Sequence, residues 1–303
     1  MNTTTSGHTI RKRFSLRRLS IQQRLPFFIC VLLLTIILTF SWVSYIGVQK
    51  ASLSIGAERV TTLVEQLSKS FKESINNFGV ITQAVAKEKS VRQFLQTGGG
   101  SSRQEAFDAL KKFATKDTLS KSVLLLDTAG KTLLNSGNVE LSAKVDVDSL
   151  ISPVPDKMQK NAVGKIILHK GSMYYPVIVT LKDKKKTIGY LVNWRVLKAT
   201  QKSIDQLAQI LGANGKLYFG NDDGKFWTDL MKPVPRPPAD SKALQHVVEY
   251  SRKNGELLIG SVRSIPNSRW LILVEISGSA VMEPAHLFLK WVIIIGIILV
   301  IVG

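Results

Sequence analysis

The longest apolar stretch of the chain, LPFFICVLLLTIILTFSWVSYIGVQ at residues 25–49, carries no charged side chain. About 20 apolar residues suffice to cross roughly 30 Å of hydrocarbon. The run therefore predicts a membrane-spanning helix over 25–47, with Trp42 and Tyr45 near one end, where amphipathic aromatics favour the interface. Directly after it the pattern turns amphipathic. Leu53, Val60, Leu67 and Ile81 fall on one seven-residue ladder, broken by Ser74, and Val64, Phe71, Phe78 and Val85 fall on a second. No proline interrupts 48–95, so the spacing predicts one long helix over 48–96. Its apolar stripe must bury either against its own domain or against the same helix of a second subunit.

TGGGSS, at 97–102, ends that pattern, because three consecutive glycines make continued helix costly. A short helix follows over 103–116, with Phe107, Leu110 and Phe113 on one side. The period then changes to two. SVLLLDTAGKTLLNSG reads as two strands about an Asp127-to-Gly130 turn, and VGKIILHK, SMYYPVIVTL and TIGYLVNWRV as three more. Alternation puts Met173, Tyr175, Val177 and Val179 on one face of the second of these, while Pro176 argues for an edge or a bulge. KDKKK, at 182–186, is a charged hairpin tip. These elements make a first module over 103–198.

A helix over 196–210 leads into a smaller version of the same plan, at 199–278. GANGKLYFGNDDGKFW is strand, acidic-glycine turn, strand; PVPRPP is a rigid loop; residues 241–252 read as a helix. GELLIGSVRSIPNSRWLILVEIS closes with two strands about a Pro-Asn-Ser turn. This module has few candidate strands, so its sheet reads as incomplete. Sheets with one helix-covered face are an α+β pattern, here in a near-repeat.

Charge sets the orientation. Arg11, Lys12, Arg13, Arg17, Arg18 and Arg24 precede the apolar run, and the first acidic residue is Glu58. The positive-inside rule places residues 1–24 in the cytoplasm as a basic leader and about 48–286 on the outer side of a bacterial inner membrane. A cleaved signal peptide would have a shorter apolar core and a small-residue cleavage site, which does not follow Gly47. After Lys290 the sequence shows 13 uncharged residues, enough for only about 20 Å of helix. Residues 287–303 thus read as the outer part of a second span, with an output domain expected beyond Gly303. The only cysteine, Cys30, lies in the first span, so the exported region has neither disulfides nor thiolate metal sites.

The chain's net charge is +19; setting aside the six basic residues of the leader and Lys290 leaves +12 outside. That field mildly favours an anionic ligand or polyanionic partner, though a solvated lysine-rich surface explains most of it. Nucleic acid is not expected there. His8, His169, His246 and His286 share no metal-ligand spacing, and neither a phosphate-binding glycine loop nor a nucleophile elbow occurs. No catalytic residue, metal or cofactor is assigned. Binding remains. His169, Tyr174, Tyr175, Tyr190, Trp194 and Arg195 are the polar and aromatic candidates of the first sheet, since tyrosine and tryptophan orient ligands and arginine pairs with carboxylates. Tyr175, Tyr190 and Trp194 would serve equally as strand residues packing a core.

The order of elements resembles a double Cache sensor, the PAS-like extracytoplasmic region of many bacterial receptors. LLLDTAGKTLLNS resembles the family's first hairpin, TIGYLVNWRV the strand closing the membrane-distal module, and IPNSRWLILVEIS the pair closing the proximal one. LSIQQRLPFF is similar to the juxtamembrane start of sensor kinases and chemoreceptors. The resemblance implies a long helix carrying two antiparallel-sheet modules between transmembrane helices, a homodimer along 48–96, and a small-molecule pocket in the distal module, for which His169, Tyr175, Tyr190, Trp194 and Arg195 are the candidates read from the residues. It further implies a cytoplasmic output, a histidine kinase first, a chemoreceptor or diguanylate cyclase next. Amino-acid-binding members carry an Arg-x-Trp-Tyr signature, which this chain lacks; NWR at 193–195 has another order and place. A two-span adaptor docking on a polyanion or a protein is the rival reading.

Overall fold

The computed structural model describes residues 21–97, 102–137, 161–184, 186–212, 215–239, 247–252 and 254–302. The readings for the leader up to residue 20, the glycine run at 98–101 and residues 241–246 lie outside them. The chain divides into two compact units, Leu53–Val281 and Met1–Ser52 with Met282–Gly303. In chain order the elements are α1 (Ile21–Ala86), α2 (Lys89–Thr97), α3 (Ser102–Lys116), β1 (Ser120–Leu126), β2 (Thr132–Asn135), β3 (Asn161–Val163), β4 (Ile167–His169), β5 (Ser172–Asp183) and β6 (Lys186–Val196). Then come α4 (Gln201–Leu211), β7 (Gly215–Asn221), β8 (Trp227–Thr228), β9 (Pro233–Val234), β10 (Val247–Ser251), β11 (Leu257–Ser264), β12 (Trp270–Ser277) and α5 (Gly278–Val302).

In the smaller unit, α1 and α5 contribute the two helices that, among the described residues, are long and apolar enough to cross a membrane. Their side chains Leu32, Phe40, Trp42, Leu287, Trp291 and Ile295 are exposed, as lipid-facing groups are. α5 begins at Gly278 rather than at 287, and follows β12 without a loop. Hydropathy marks only the greasy part of the helix; its first turns are set by burial of Met282 and Ala285.

In the larger unit α1 lies along both modules. Its buried line runs Val60, Val64, Leu67, Ile75, Thr82 and Val85, with Phe71 and Phe78 partly buried on it, while Ile81 is exposed. A strict seven-residue ladder drifts about 20° per heptad on a straight helix, so by its fourth step the apolar line has moved from Ser74 and Ile81 to Ile75 and Thr82. The stripe follows the 3.6-residue period of a single helix laid on its own domain. α1 also stops at Ala86, where the N–H of Glu88 turns back to the carbonyl of Val85. The carbonyl of Glu88 then accepts from Arg92, and α2 starts in a new direction that buries Val91 and Phe94. The expected helix over 48–96 is therefore two helices.

The distal sheet has the order β2-β1-β6-β5-β3, with β4 also on β5, all antiparallel. Pro176 stands inside central β5 rather than at a sheet edge. β3 pairs with 177–179 and β4 with 172–174, so the missing proline N–H falls where the neighbouring strand is interrupted. The proximal sheet, β10-β11-β12-β7-β8-β9, also has six strands and is complete. The sequence reading missed two of them. VVEYS, expected inside a helix, is β10, because Val248 and Tyr250 alternate onto one face while its backbone pairs with β11. The first residues of the proline-rich loop form β9 against β8. α4 starts at Gln201, capped by the Thr200 hydroxyl, since Leu197 is still bonded to Met173 in extended form.

One core joins the modules: Val60, Val64 and Leu67 of α1, Tyr175 and Val177 of the distal sheet, and Phe219, Ile272 and Trp270 of the proximal sheet. The segment between β3 and β4 is sewn to the proximal module. Trp270 Nε1 donates to the carbonyl of Gly164 (2.8 Å), and Asn221 exchanges two bonds with the backbone of Ile166 (2.8 and 2.9 Å). Lys165 meets Asp223 at 2.9 Å.

Candidate functional site

Each sheet has one face toward α1 and one away from it, and the strand register decides which residue goes where. Directly opposed residues on neighbouring strands share a face. On the distal sheet the pairs Tyr174–Val196, Pro176–Trp194, Ile178–Val192 and Thr180–Tyr190 of β5 and β6, with Ser122, Leu124 and Leu126 of β1, form the face away from α1. Leu124, Leu126, Ile178, Val192 and Trp194 are buried in one cluster there, with Ile167, Tyr174 and Tyr190 packed on it half-buried. His169, on β4, carries its ring 6.3 Å from that of Tyr174, at the rim of the same face.

Trp194 is 1% exposed, yet its indole N–H has no hydrogen-bond partner among the described residues. A buried tryptophan N–H normally finds an acceptor, and leaving one unmet costs about 1–3 kcal/mol. In the row around it Pro176 has no side-chain acceptor, and the Ser122 hydroxyl donates to Asn135 Oδ1 at 3.0 Å without meeting the indole. The other tryptophans of the larger unit are satisfied, Trp227 by the carbonyl of Gly224 (3.2 Å) and Trp270 by that of Gly164.

The next residue along each strand points the other way. Arg195 is buried on the face toward α1, where its guanidinium pairs with Asp117, donates to the Tyr175 hydroxyl (3.3 Å) and lies 4.6 Å from the ring centre of Phe78 on α1. Burial is the main reason the Tyr175 hydroxyl is held above the usual range, with Arg195 opposing and Asp117 reinforcing it. Beside them the Ser120 hydroxyl bonds Asn193 Oδ1 at 2.7 Å, while Asn193 Nδ2 is unpartnered among the described residues. The five residues singled out in the sequence thus fall on two faces. Tyr190 and Trp194 share one, with His169 at its rim; Tyr175 and Arg195 share the other, tied to the long helix. Asp117 was missed, because nothing in the α3–β1 turn announces a partner for a distant arginine.

The proximal face away from α1 is furnished differently. Trp227 lies flat on Gly220, where a Cβ would come within 2.6 Å of the ring, and Tyr250 lies over Gly260, where a Cβ would come within 3.1 Å. Absence of a side chain is what lets the rings settle on the sheet. Glu275 is 1% exposed among Val262, Leu271 and Leu273. One of its oxygens accepts from the Tyr250 hydroxyl and the other from Arg252 (2.7 Å), which also reaches Glu256 and the Tyr218 hydroxyl. Burial, then the Glu275 carboxylate, push the Tyr250 hydroxyl well above its ordinary range. A single acid inside WLILVEIS is a signal the sequence reading could have used. Its partner Arg252 was hidden in an expected helix.

No family model and no curated protein matches the sequence. The fold does match. The sensory domain of the Campylobacter jejuni chemoreceptor Tlp3 superposes with a TM-score of 0.50 at 13% identity, covering 77% of this chain and 98% of that one. The Tlp3 ligand-binding domain solved with L-valine gives the same score and identity over 77% and 97%. The chain therefore has the two-module α+β fold of a Cache-like receptor sensory domain.

Proposed function

We propose that the chain is the small-molecule-sensing and transmembrane-signalling region of a bacterial receptor, with the ligand held on the distal face around Trp194, Tyr174 and Tyr190. One observation carries this: the buried indole N–H of Trp194, unpartnered among the described residues, stands back to back with Arg195, which is held by Asp117 and Tyr175 and lies over Phe78 of α1. The same alternation sets Tyr174 against Tyr175. A displacement of β5 or β6 by a ligand on one face must be felt by the helix on the other. A ligand moves the helix only by binding two arrangements unequally, and a difference of about 1–3 kcal/mol is typical.

In this reading residues 1–24 face the cytoplasm and 48–286 the outside, as the basic leader argues. Two copies associate along α1 through its outward side, where Ile55 and Val80 bracket the polar Glu58, Thr62, Gln66 and Glu73. The output that follows the second span is a histidine kinase, with a chemoreceptor or a diguanylate cyclase as the alternatives; that ranking rests on family analogy. The test uses the full chain in lipid nanodiscs and a metabolite panel read by thermal unfolding. A compound that raises the midpoint in the native chain, and does so less in an Arg195→Met chain whose helix contact is cut, supports the reading. A panel of several hundred metabolites without one hit overturns it. Gln66→Cys in a Cys30→Ala background tests the dimer, which predicts a cross-link between copies on oxidation.

A further inference from the structure

The positive charge of the larger unit gathers at one end of the distal sheet. β5 and β6 meet just beyond the opposed pair Asp183 and Lys186, so that two residues join the strands. α2 lies along this tip. Arg92 Nη2 donates to the carbonyl of Lys182 (3.1 Å) and pairs with Asp183 (3.4 Å), whose second oxygen accepts from Gln96 (3.1 Å). The one acid of the tip is thus committed to α2, and the lysines around it keep their charge. Residues 87–97 and 182–186 hold seven Lys or Arg and two acids, so this end carries +5 of the region's +12. Lys87, Lys89, Lys182, Lys184 and Lys186 are all exposed there. Lys184 also stands at φ 53°, in the left-handed region that glycine enters without steric cost. A charge is held at the apex where a glycine would turn more easily.

We infer that the α2 and β5–β6 tip is a docking surface for an anionic polysaccharide. Three features select that partner. Among the described residues of 82–137 and 182–190 no large apolar side chain is exposed. A surface that enters a bilayer sets Trp, Phe or Leu beside its cations, and a protein interface has an apolar centre; the tip has neither. The exposed cations are lysines, compact and strongly hydrated point charges without the fork that grips one carboxylate in a fixed geometry. A single small anion would gain little from any one of them. A chain of carboxylates or phosphates engages several at once, releases their counterions together and needs no pocket. That the polymer belongs to the cell envelope rests on the reading that residues 48–286 face the outside; the surface itself does not.

Lysine acetylation followed by mass spectrometry tests this on the full chain in nanodiscs of neutral lipid, with polygalacturonate, neutral dextran and phosphatidylglycerol vesicles as probes. Polygalacturonate is expected to slow acetylation of Lys87, Lys89, Lys182, Lys184 and Lys186 by about fivefold or more, and to lose that protection as salt rises. Lys198, Lys202, Lys216 and Lys232, exposed elsewhere on the larger unit, should slow by less than about twofold. Because each lysine is read separately, the basic leader does not confuse the result. Lys184→Gly suits the turn, so its unfolding midpoint should not fall, while the protection of Lys182 and Lys186 should drop by about half. Equal protection of the two sets of lysines would assign the effect to the diffuse charge of the exterior and overturn the proposal. Equal protection by dextran, or stronger protection by the vesicles, overturns it as well. Protection at the tip upholds the surface whatever the metabolite panel returns, so the two readings stand or fall separately.

Discussion

The two modules treat the same surface in opposite ways. Each has a six-stranded antiparallel sheet, one face of which closes against α1 or its neighbouring helices. On the proximal sheet the other face is finished by the chain itself. Trp227 and Tyr250 lie over glycines, the Trp227 N–H is bonded, and the buried Glu275 carboxylate has a partner on each oxygen. On the distal sheet the corresponding face keeps two half-buried tyrosines and a buried donor, the Trp194 N–H, with no partner among the described residues. Buried polar groups are normally paired, and on the two faces that rule is met to different degrees among the described residues. Duplicating a fold does not duplicate its function, because side-chain bookkeeping on one face differs while the backbone plan does not.

Substitutions can break that contrast, and the largest effect is expected in the proximal module. Arg252→Ala leaves the Glu275 carboxylate buried beside Tyr250 alone. Removing one member of such a pair costs about 3–5 kcal/mol when both are buried; Arg252 is a quarter exposed, so about 2–3 kcal/mol is expected. Chemical unfolding of the full chain should show it, with distal ligand binding changed less than twofold. A loss under about 1 kcal/mol would mean the cluster is ornamental. Gly220→Ala comes next. The added methyl has to displace the Trp227 ring, and overpacking of this kind costs about 1–3 kcal/mol. The same measurement reads it, again without effect on binding.

A matched pair of tryptophan substitutions sharpens the comparison further. Trp270→Phe strands the carbonyl of Gly164 and trims a ring packed 5.1 Å from Tyr175, so about 1–2 kcal/mol should be lost. Trp194→Phe removes an unmet donor along with the ring area, and the two changes offset to within about 1 kcal/mol. The first should weaken the fold and spare ligand selectivity; the second should do the reverse. If Trp194→Phe were the more destabilising, the distal face would be an ordinary core.

The smallest effect concerns pH. Burial raises the Asp223 carboxyl, but the Lys225 N–H and the Lys165 ammonium outweigh it and hold the group below its ordinary value of 3.8. A depressed carboxyl stabilises the fold above that ordinary value and loses its contribution as pH falls through the lowered one. Both partners are about one-third exposed, so a few tenths of a kcal/mol is expected. Stability of native and Lys165→Met chains, measured from pH 6 down to pH 2.5, should differ at the top of the range and converge at the bottom.

Much of this architecture is readable along the chain. The uncharged run at 25–49 lies in a helix long and apolar enough to cross a membrane, and WLILVEIS and SMYYPVIVTL form strands, as their patterns predict. The hairpin around Asp127 formed as its residues predict, with the Asp127 carboxylate accepting from the N–H groups of Ala129 and Lys131. What misled was local signal overruled by distant pairing. Residues 247–251 sit in a helix-compatible context, yet they pair with β11 because Val248 and Tyr250 have a face to cover. The ladder through Ile81 broke because the 3.6-residue turn carries the buried line to Ile75 and Thr82. The candidate site was half legible. Residue types flagged Tyr190, Trp194, Tyr175 and Arg195, but strand parity, with the chain shift beside Lys182, decides which of them share a surface.

The sequence by itself determined the elements that depend on neighbours in the chain: the apolar run, the amphipathic helix, the alternating strands and their turns. Only the tertiary structure decided that Arg195 spends its charge on Asp117, that Glu275 is paired with Arg252, and that the buried Trp194 N–H meets no acceptor among the described residues. Those outcomes depend on contacts between residues 23 to 78 positions apart, and hydrogen bonds across such separations are fixed by how strands pair, which no local pattern specifies.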